Sequence, residues 1–293
     1  MAPRTQPTER QRRIGAELRK LRLAAGLSGD QAAALIDADR QRVSHIESGR
    51  VDVPRNGLYN LLRSYGCAEG PLFEALMAMA NNRGKGWWDE YRDVMRRPAL
   101  DLAELESRAS RIRNHELLVV PGMLQTADYA RAVCETFDGP DADIDRYVQF
   151  RMGRQRILEQ RPGTPYHAVI QEGALRTRVG SPEIMRRQLR RLIEIARLPH
   201  VTLQVFPFEA GPYSGVSRSF SIYSGPTPAL DTVRLEQPVA SVVLHDEEQT
   251  SKYAKLFAKL SELALPPVDP EAKPESHEGR DSLTFIQHLM YAS

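Results

Sequence analysis

The stretch Leu18-Arg-Lys-Leu-Arg-Leu-Ala-Ala-Gly-Leu-Ser28, followed by Val43-Ser-His-Ile-Glu-Ser-Gly-Arg50, decides the first fold in this chain of 293 residues. Around it, Ile14, Leu18, Leu21 and Ala25 recur at i, i+4, i+7 and i+11, which lines one face of a helix over 14–25. Gly26 offers the left-handed backbone that ends it. Ser28 and Gln31 have capping-box spacing and start a second helix, about 28–36, whose Ala32, Ala33 and Ala34 let a neighbouring helix approach closely. Asp37 and Ala38 make the turn, because Asp tolerates left-handed geometry better than most residues. Asp39 caps a third helix, 40–47, with Val43 and Ile46 facing inward and Gly49 ending it.

With those inward positions removed, the third helix presents Arg40, Gln41, Arg42, Ser44 and His45 outward. This chemistry suits the major groove of double-stranded DNA. Arg reads guanine, Gln reads adenine, and Ser and His reach base edges or phosphate. On this reading Arg40 and Gln41 discriminate bases, whereas the flanking Arg50 and Arg55 hold phosphates, which position a protein without reading sequence. Charge agrees with the placement. The whole chain carries only +2, but residues 1–65 hold twelve Lys and Arg against seven Asp and Glu, leaving the remainder at −3. A small basic module on a mildly acidic body is the pattern expected when one part alone meets a polyanion. The arginines from Arg4 to Arg13 read as a disordered basic arm.

These segments resemble the XRE-type helix-turn-helix of phage-repressor-like regulators. The resemblance implies an all-α domain of five helices within residues 1–80, the last two at 54–65 and 71–80. It also implies an ion pair between Glu47 and Arg19 or Arg22. Two positions depart from the family pattern. Gly29 stands where a phosphate-contacting Gln is common, and Asp37 where Gly is common.

Residues 81–86 (Asn-Asn-Arg-Gly-Lys-Gly) read as a linker. Trp87-Trp88 opens the next part as a core or docking anchor, and a helical stretch is expected from there to about His115, with further helices over 123–137 and 141–160. Strands are expected at 166–171, 201–206, 220–223, 233–236 and 239–244, with helices at 182–197 and 248–264. The fold class is therefore multidomain, with the helical module followed by a larger α+β domain over 87–265. Residues 266–281 are rich in proline and acid and read as mobile, ahead of a short terminal helix with Leu283, Ile286, Leu289 and Met290 on one face. That face is expected to pack on its own body or on a second subunit.

Three segments, Pro121-Gly-Met-Leu-Gln-Thr-Ala-Asp-Tyr-Ala-Arg131, Gln171-Glu-Gly-Ala-Leu-Arg176 and Leu198-Pro-His-Val-Thr-Leu-Gln-Val205, resemble successive motifs of the actinobacterial WhiJ-like, antitoxin-like regulators. The resemblance implies a transcriptional regulator, often paired with a small partner protein encoded nearby. A homodimer is the default for readers of pseudo-palindromic operators, with two reading helices ~34 Å apart.

Catalysis finds little support. His115-Glu-Leu-Leu-Val119 lacks the second histidine of a zinc-protease helix, and Gly211-Pro-Tyr-Ser-Gly215 misplaces the serine of a nucleophile elbow. Lone histidines such as His167 and His200 read as structural, and no cofactor or metal is expected. The loop 207–215 is long and aromatic enough to wall a small-molecule pocket, an alternative to an ordinary surface loop. Two cysteines do not make a disulfide scaffold, no apolar run reaches bilayer length, and the first residues lack a signal-peptide core. A cytoplasmic, nucleoid-associated protein is expected, with no membrane partner.

Overall fold

The computed structural model describes residues 6–81, 85–137, 143–160, 163–212, 218–237, 241–271 and 281–292. The chain divides into two compact units. The first comprises residues 1–89, 96–105 and 226–230, and the second 90–95, 106–225 and 231–293.

The first unit is built on α1 (Glu9–Ala24), α2 (Gly29–Ala34), α3 (Arg40–Glu47), α4 (Arg55–Ser64) and α5 (Pro71–Asn81). Its core holds Leu18, Leu58, Leu61, Leu62 and Leu76, all at most 1% exposed, with Val43 and Ile46 of α3 turned into it. Residues 9–13 of the expected arm are helical. Arg10, Arg12 and Arg13 belong to α1, because Thr8 and Gln11 form a capping box that starts the helix five residues before the apolar pattern does. Arg13 is buried against Glu17, and its guanidinium donates to the Ala229 carbonyl. Arg10 Nε lies 2.8 Å from Glu104 on α6 (Arg97–Arg108), and its Nη1 donates to Met79 O at 2.7 Å. These arginines are structural. Arg4, residues 82–84 of the linker, residues 213–215 of the 207–215 loop, residues 239–240 of the last expected strand and residues 272–280 of the proline-rich tail lie outside the described residues.

In the second unit the strands form one mixed sheet ordered β3-β2-β1-β4-β5-β6. Strands β1 (Arg111–Glu116), β2 (Tyr166–Gln171) and β3 (Val201–Phe206) run parallel, with Ile112 beside Tyr166 and Tyr166 beside Val201. On the other side of β1, β4 (Phe220–Ser224), β5 (Thr232–Leu235) and β6 (Val242–Leu244) pair antiparallel in succession. Two helices, α7 (Ala127–Phe137) and α8 (Ile144–Gln160), lie between β1 and β2 in sequence; α9 (Glu172–Arg176) and α10 (Pro182–Ile195) lie between β2 and β3. Parallel neighbours need such crossovers. Helix α11 (Glu247–Leu263) closes one face with Phe257 and Leu260 on Val169, Phe206, Phe220 and Val233.

Two expectations about this unit are revised, and one is decided between its alternatives. The helical stretch expected to His115 stops with α6, and residues 111–116 are the central strand. The segment Arg-Ile-Arg-Asn-His-Glu hides its strand character because only Ile112 is an aliphatic apolar residue, although Asn114, His115 and Glu116 are all buried. Part of the tail expected to be mobile is fastened, since Val268 N donates to Leu203 O on β3 and Pro266 O accepts from Ser282 N. The last helix, α12 (Ser282–Ala292), packs on α9, α10 and β3 of its own unit, burying Leu283, Phe285, Ile286 and Leu289.

The buried polar groups of β1 make stability depend on pH. Burial, reinforced by Glu236, pushes the Glu116 carboxyl up to about 8 against the hydrogen bonds from Ser219 and Asn114. Because the folded state holds this proton more tightly than the unfolded chain, the associated stability is complete below the ordinary value of 4.5 and is lost as pH rises through about 8. Burial pushes His115 the other way, to about 4 from 6.5, so its contribution is lost as pH falls through that interval. Glu116→Gln is therefore expected to raise the thermal midpoint at pH 9 and to flatten its alkaline slope. Melting curves of the full chain across pH check this. An unchanged alkaline slope would contradict it.

Candidate nucleic-acid interface

Helix α3 is fixed from behind. Its N-cap Asp39 accepts from Arg42 N at 2.7 Å, and the turn before it takes a left-handed residue at Asp37, φ 51°. Its last turn meets α1 backbone to backbone. A Cβ on Gly15 would stand 2.5 Å from Ile46 O and 2.4 Å from Glu47 O, so only glycine permits this crossing. Gly49 repeats the device from the other side, with φ 72° and a would-be Cβ 2.8 Å from Arg12 N. The ion pair implied for Glu47 is made with Arg22, Nε to Oε1 at 2.5 Å and Nη2 to Oε2 at 3.0 Å, and Arg22 also donates to Leu27 O. The hydrogen bond to Glu47 raises the pKa of the guanidinium, securing its charge. Burial pushes the neighbouring Tyr65 up to about 12.

At roughly 100° per residue, Gln41, Ser44, His45 and Ser48 spread over the arc opposite Val43 and Ile46, with Arg40 and Arg42 at its edges. Gln41, Ser44, Arg50 and Arg55 are exposed, and their side chains make no hydrogen bond or ion pair among the described residues. His45 and Arg42 are half-buried. Arg55 is the first residue of α4, and Arg50 follows the α3 C-terminus. One participant is not evident from sequence: Asp30 on α2, whose Oδ2 lies 3.8 Å from Arg40 Nη1.

The three motifs of the second unit are internal staples. Residues 121–126 make an irregular turn whose backbone is held by buried glutamines. Gln125 Nε2 donates to Val120 O, Gln155 Nε2 to Gly122 O and Gln125 O, and Gln188 bonds both Thr126 N and Leu124 O. Gln171 caps α9, Glu172 accepts from Phe208 N at 2.8 Å, and Gln204 ties His167 to Ser261 and Leu265. His200 Nε2 lies 2.8 Å from Leu158 O. Satisfied networks of this kind specify a fold. Among the described residues no three potential metal-binding side chains gather, and no helix is long and apolar enough to cross a membrane.

Comparison with known families matches residues 13–76 to a helix-turn-helix domain and residues 99–271, more than half the chain, to a domain of unknown function, DUF5753. Comparison with curated proteins and with solved structures returns no match.

Proposed function

The chain belongs to the DUF5753 family and carries a DNA-binding helix-turn-helix domain ahead of that region, and from this premise we propose that it is an XRE-type transcriptional regulator of the WhiJ-like, antitoxin-like kind. It binds a pseudo-palindromic operator as a homodimer, each copy laying α3 in the major groove. The observation that carries the reading is the outward arc of α3. Gln41 and Ser44 are exposed and unengaged on a helix locked from behind by Gly15 and by the Arg22–Glu47 pair. Such a helix presents donors and acceptors at fixed positions, which base reading requires. Gln41, Ser44 and His45 face base edges, and Arg42, Arg50 and Arg55 serve the backbone. The second unit oligomerises and senses a small partner protein or a ligand, and carries no catalysis. The order of the three motifs along the chain supports that part of the proposal.

The two kinds of contact separate in titrations of DNA at several salt concentrations. Gln41→Ala is expected to cost about 1–3 kcal/mol on the preferred duplex and to relax preference at one base pair of each half-site. Arg55→Ala is expected to weaken binding to all duplexes alike and to lower the salt slope by about one. Identical behaviour of the two variants would contradict the sorting.

A further inference from the structure

We propose that Asp30 sets the affinity of this interface by holding the Arg40 guanidinium at the edge of α3, where it meets a DNA phosphate and not a base edge. The assignment rests on the DNA-binding reading of α3. Arg40 is the first residue of α3, and its side chain leans back across the start of α2. There its Cγ lies 3.3 Å from where a Cβ on residue 29 would stand, and its Nη1 lies 3.8 Å from Asp30 Oδ2. Gly29 therefore leaves room for the arginine stem, and Asp30 supplies the charge at its end.

The Asp30 carboxylate, in the first turn of α2, makes no other ion pair among the described residues. The start of α2 is capped by Ser28 and Gln31 in a reciprocal pair, and the Asp30 carboxylate makes no hydrogen bond there. Its side chain is 71% exposed and that of Arg40 is 76% exposed, so the pair is weak and open to exchange. A phosphate presents two oxygens to the guanidinium fork and competes well for it. The arc of α3 fixes the direction of that exchange. Gln41, Ser44 and Ser48 lie near its centre and Arg40 at its margin. In a groove the central residues meet bases, and marginal ones meet the phosphate walls. Arg40 thus moves from the base readers, where the sequence places it, to the backbone contacts. Asp30 opposes that contact twice, by occupying the guanidinium and by repelling the phosphate.

The test uses the full chain, a duplex selected by it from a random pool, and the same duplex shuffled, each titrated over a range of salt. Arg40→Ala is expected to weaken both duplexes by a common factor of roughly three to ten and to lower the salt slope by about one. Asp30→Asn is expected to tighten both several-fold, with most of that gain lost in the Arg40→Ala background. Loss confined to the selected duplex in Arg40→Ala would make Arg40 a base reader and overturn the proposal. So would unchanged affinity in Asp30→Asn, or an equal gain with and without Arg40. A wild-type chain that binds neither duplex would instead overturn the reading of α3 itself.

Discussion

Gly15→Ala is expected to destabilise the first unit by about 3 kcal/mol, although alanine is the better helix former. Inside α1 the exchange gains roughly 1 kcal/mol of helix propensity. Against it stands a methyl group placed 2.4 Å from Glu47 O and 2.5 Å from Ile46 O, both backbone atoms of α3 that no rotamer change can move. Overpacking of this kind costs about 1–3 kcal/mol and more where the wall is rigid, so the clash outweighs the propensity. Trp87 and Trp88 are the only tryptophans of the chain and both fall in the first unit, so their fluorescence follows its unfolding in urea. Gly29→Ala is the matched control, since its new methyl would meet only the flexible Arg40 stem at 3.3 Å. A higher urea midpoint in Gly15→Ala would show that α1 and α3 do not touch backbone to backbone.

Arg22→Ala is the second large effect. The Arg22 and Glu47 side chains are 11% and 9% exposed, and the arginine grips both carboxylate oxygens while donating to Leu27 O. Removing one partner strands a charge in a place poor in water, which costs about 3 kcal/mol. Removing both is expected to cost less than removing Arg22 alone, because no charge is then left unpaired. Arg22→Lys restores the charge without the fork and recovers only part of the loss. The same fluorescence transition measures all three. Equal losses in Arg22→Ala and in the double variant Arg22→Ala, Glu47→Ala would remove the ion pair from the account. Because the pair anchors the end of α3, its loss also slackens the reading helix, and DNA preference is expected to fall along with stability.

The sequence is most legible where the cause is local. The Ser28–Gln31 box, the Asp39 cap and the left-handed Asp37 each act within four residues, and each is found where the pattern places it. The early start of α1 is equally local, in Thr8 and Gln11, but it lies ahead of the apolar periodicity that marks the rest of the helix. The identity of the Glu47 partner is not local. Arg19 and Arg22 both lie on α1, and the fold brings only Arg22 to the end of α3. Strand β1 was hidden because its burial depends on neighbours far along the chain. Asn114 Nδ2 donates to Ser221 and Glu116, and His115 is held by the Val169 carbonyl. Alternation of apolar residues cannot report a strand whose inward positions are polar and paired. The glutamine staples around residues 121–126 are invisible for the same reason, since Gln155 and Gln188 reach them from α8 and α10. Asp30 carries no signal in the sequence, because a surface aspartate acquires meaning only through the Arg40 side chain that leans on it.

The most direct measurement of the central claim is selection from a random pool of duplex DNA by the full chain at physiological salt, followed by sequencing of what is retained. The account predicts enrichment of two inverted half-sites about one helical turn apart, ~34 Å. It further predicts that a Gln41→Ala, Ser44→Ala double variant loses preference at the positions these side chains face. A retained pool no different in sequence from the input, or an unchanged motif from the double variant, would contradict it.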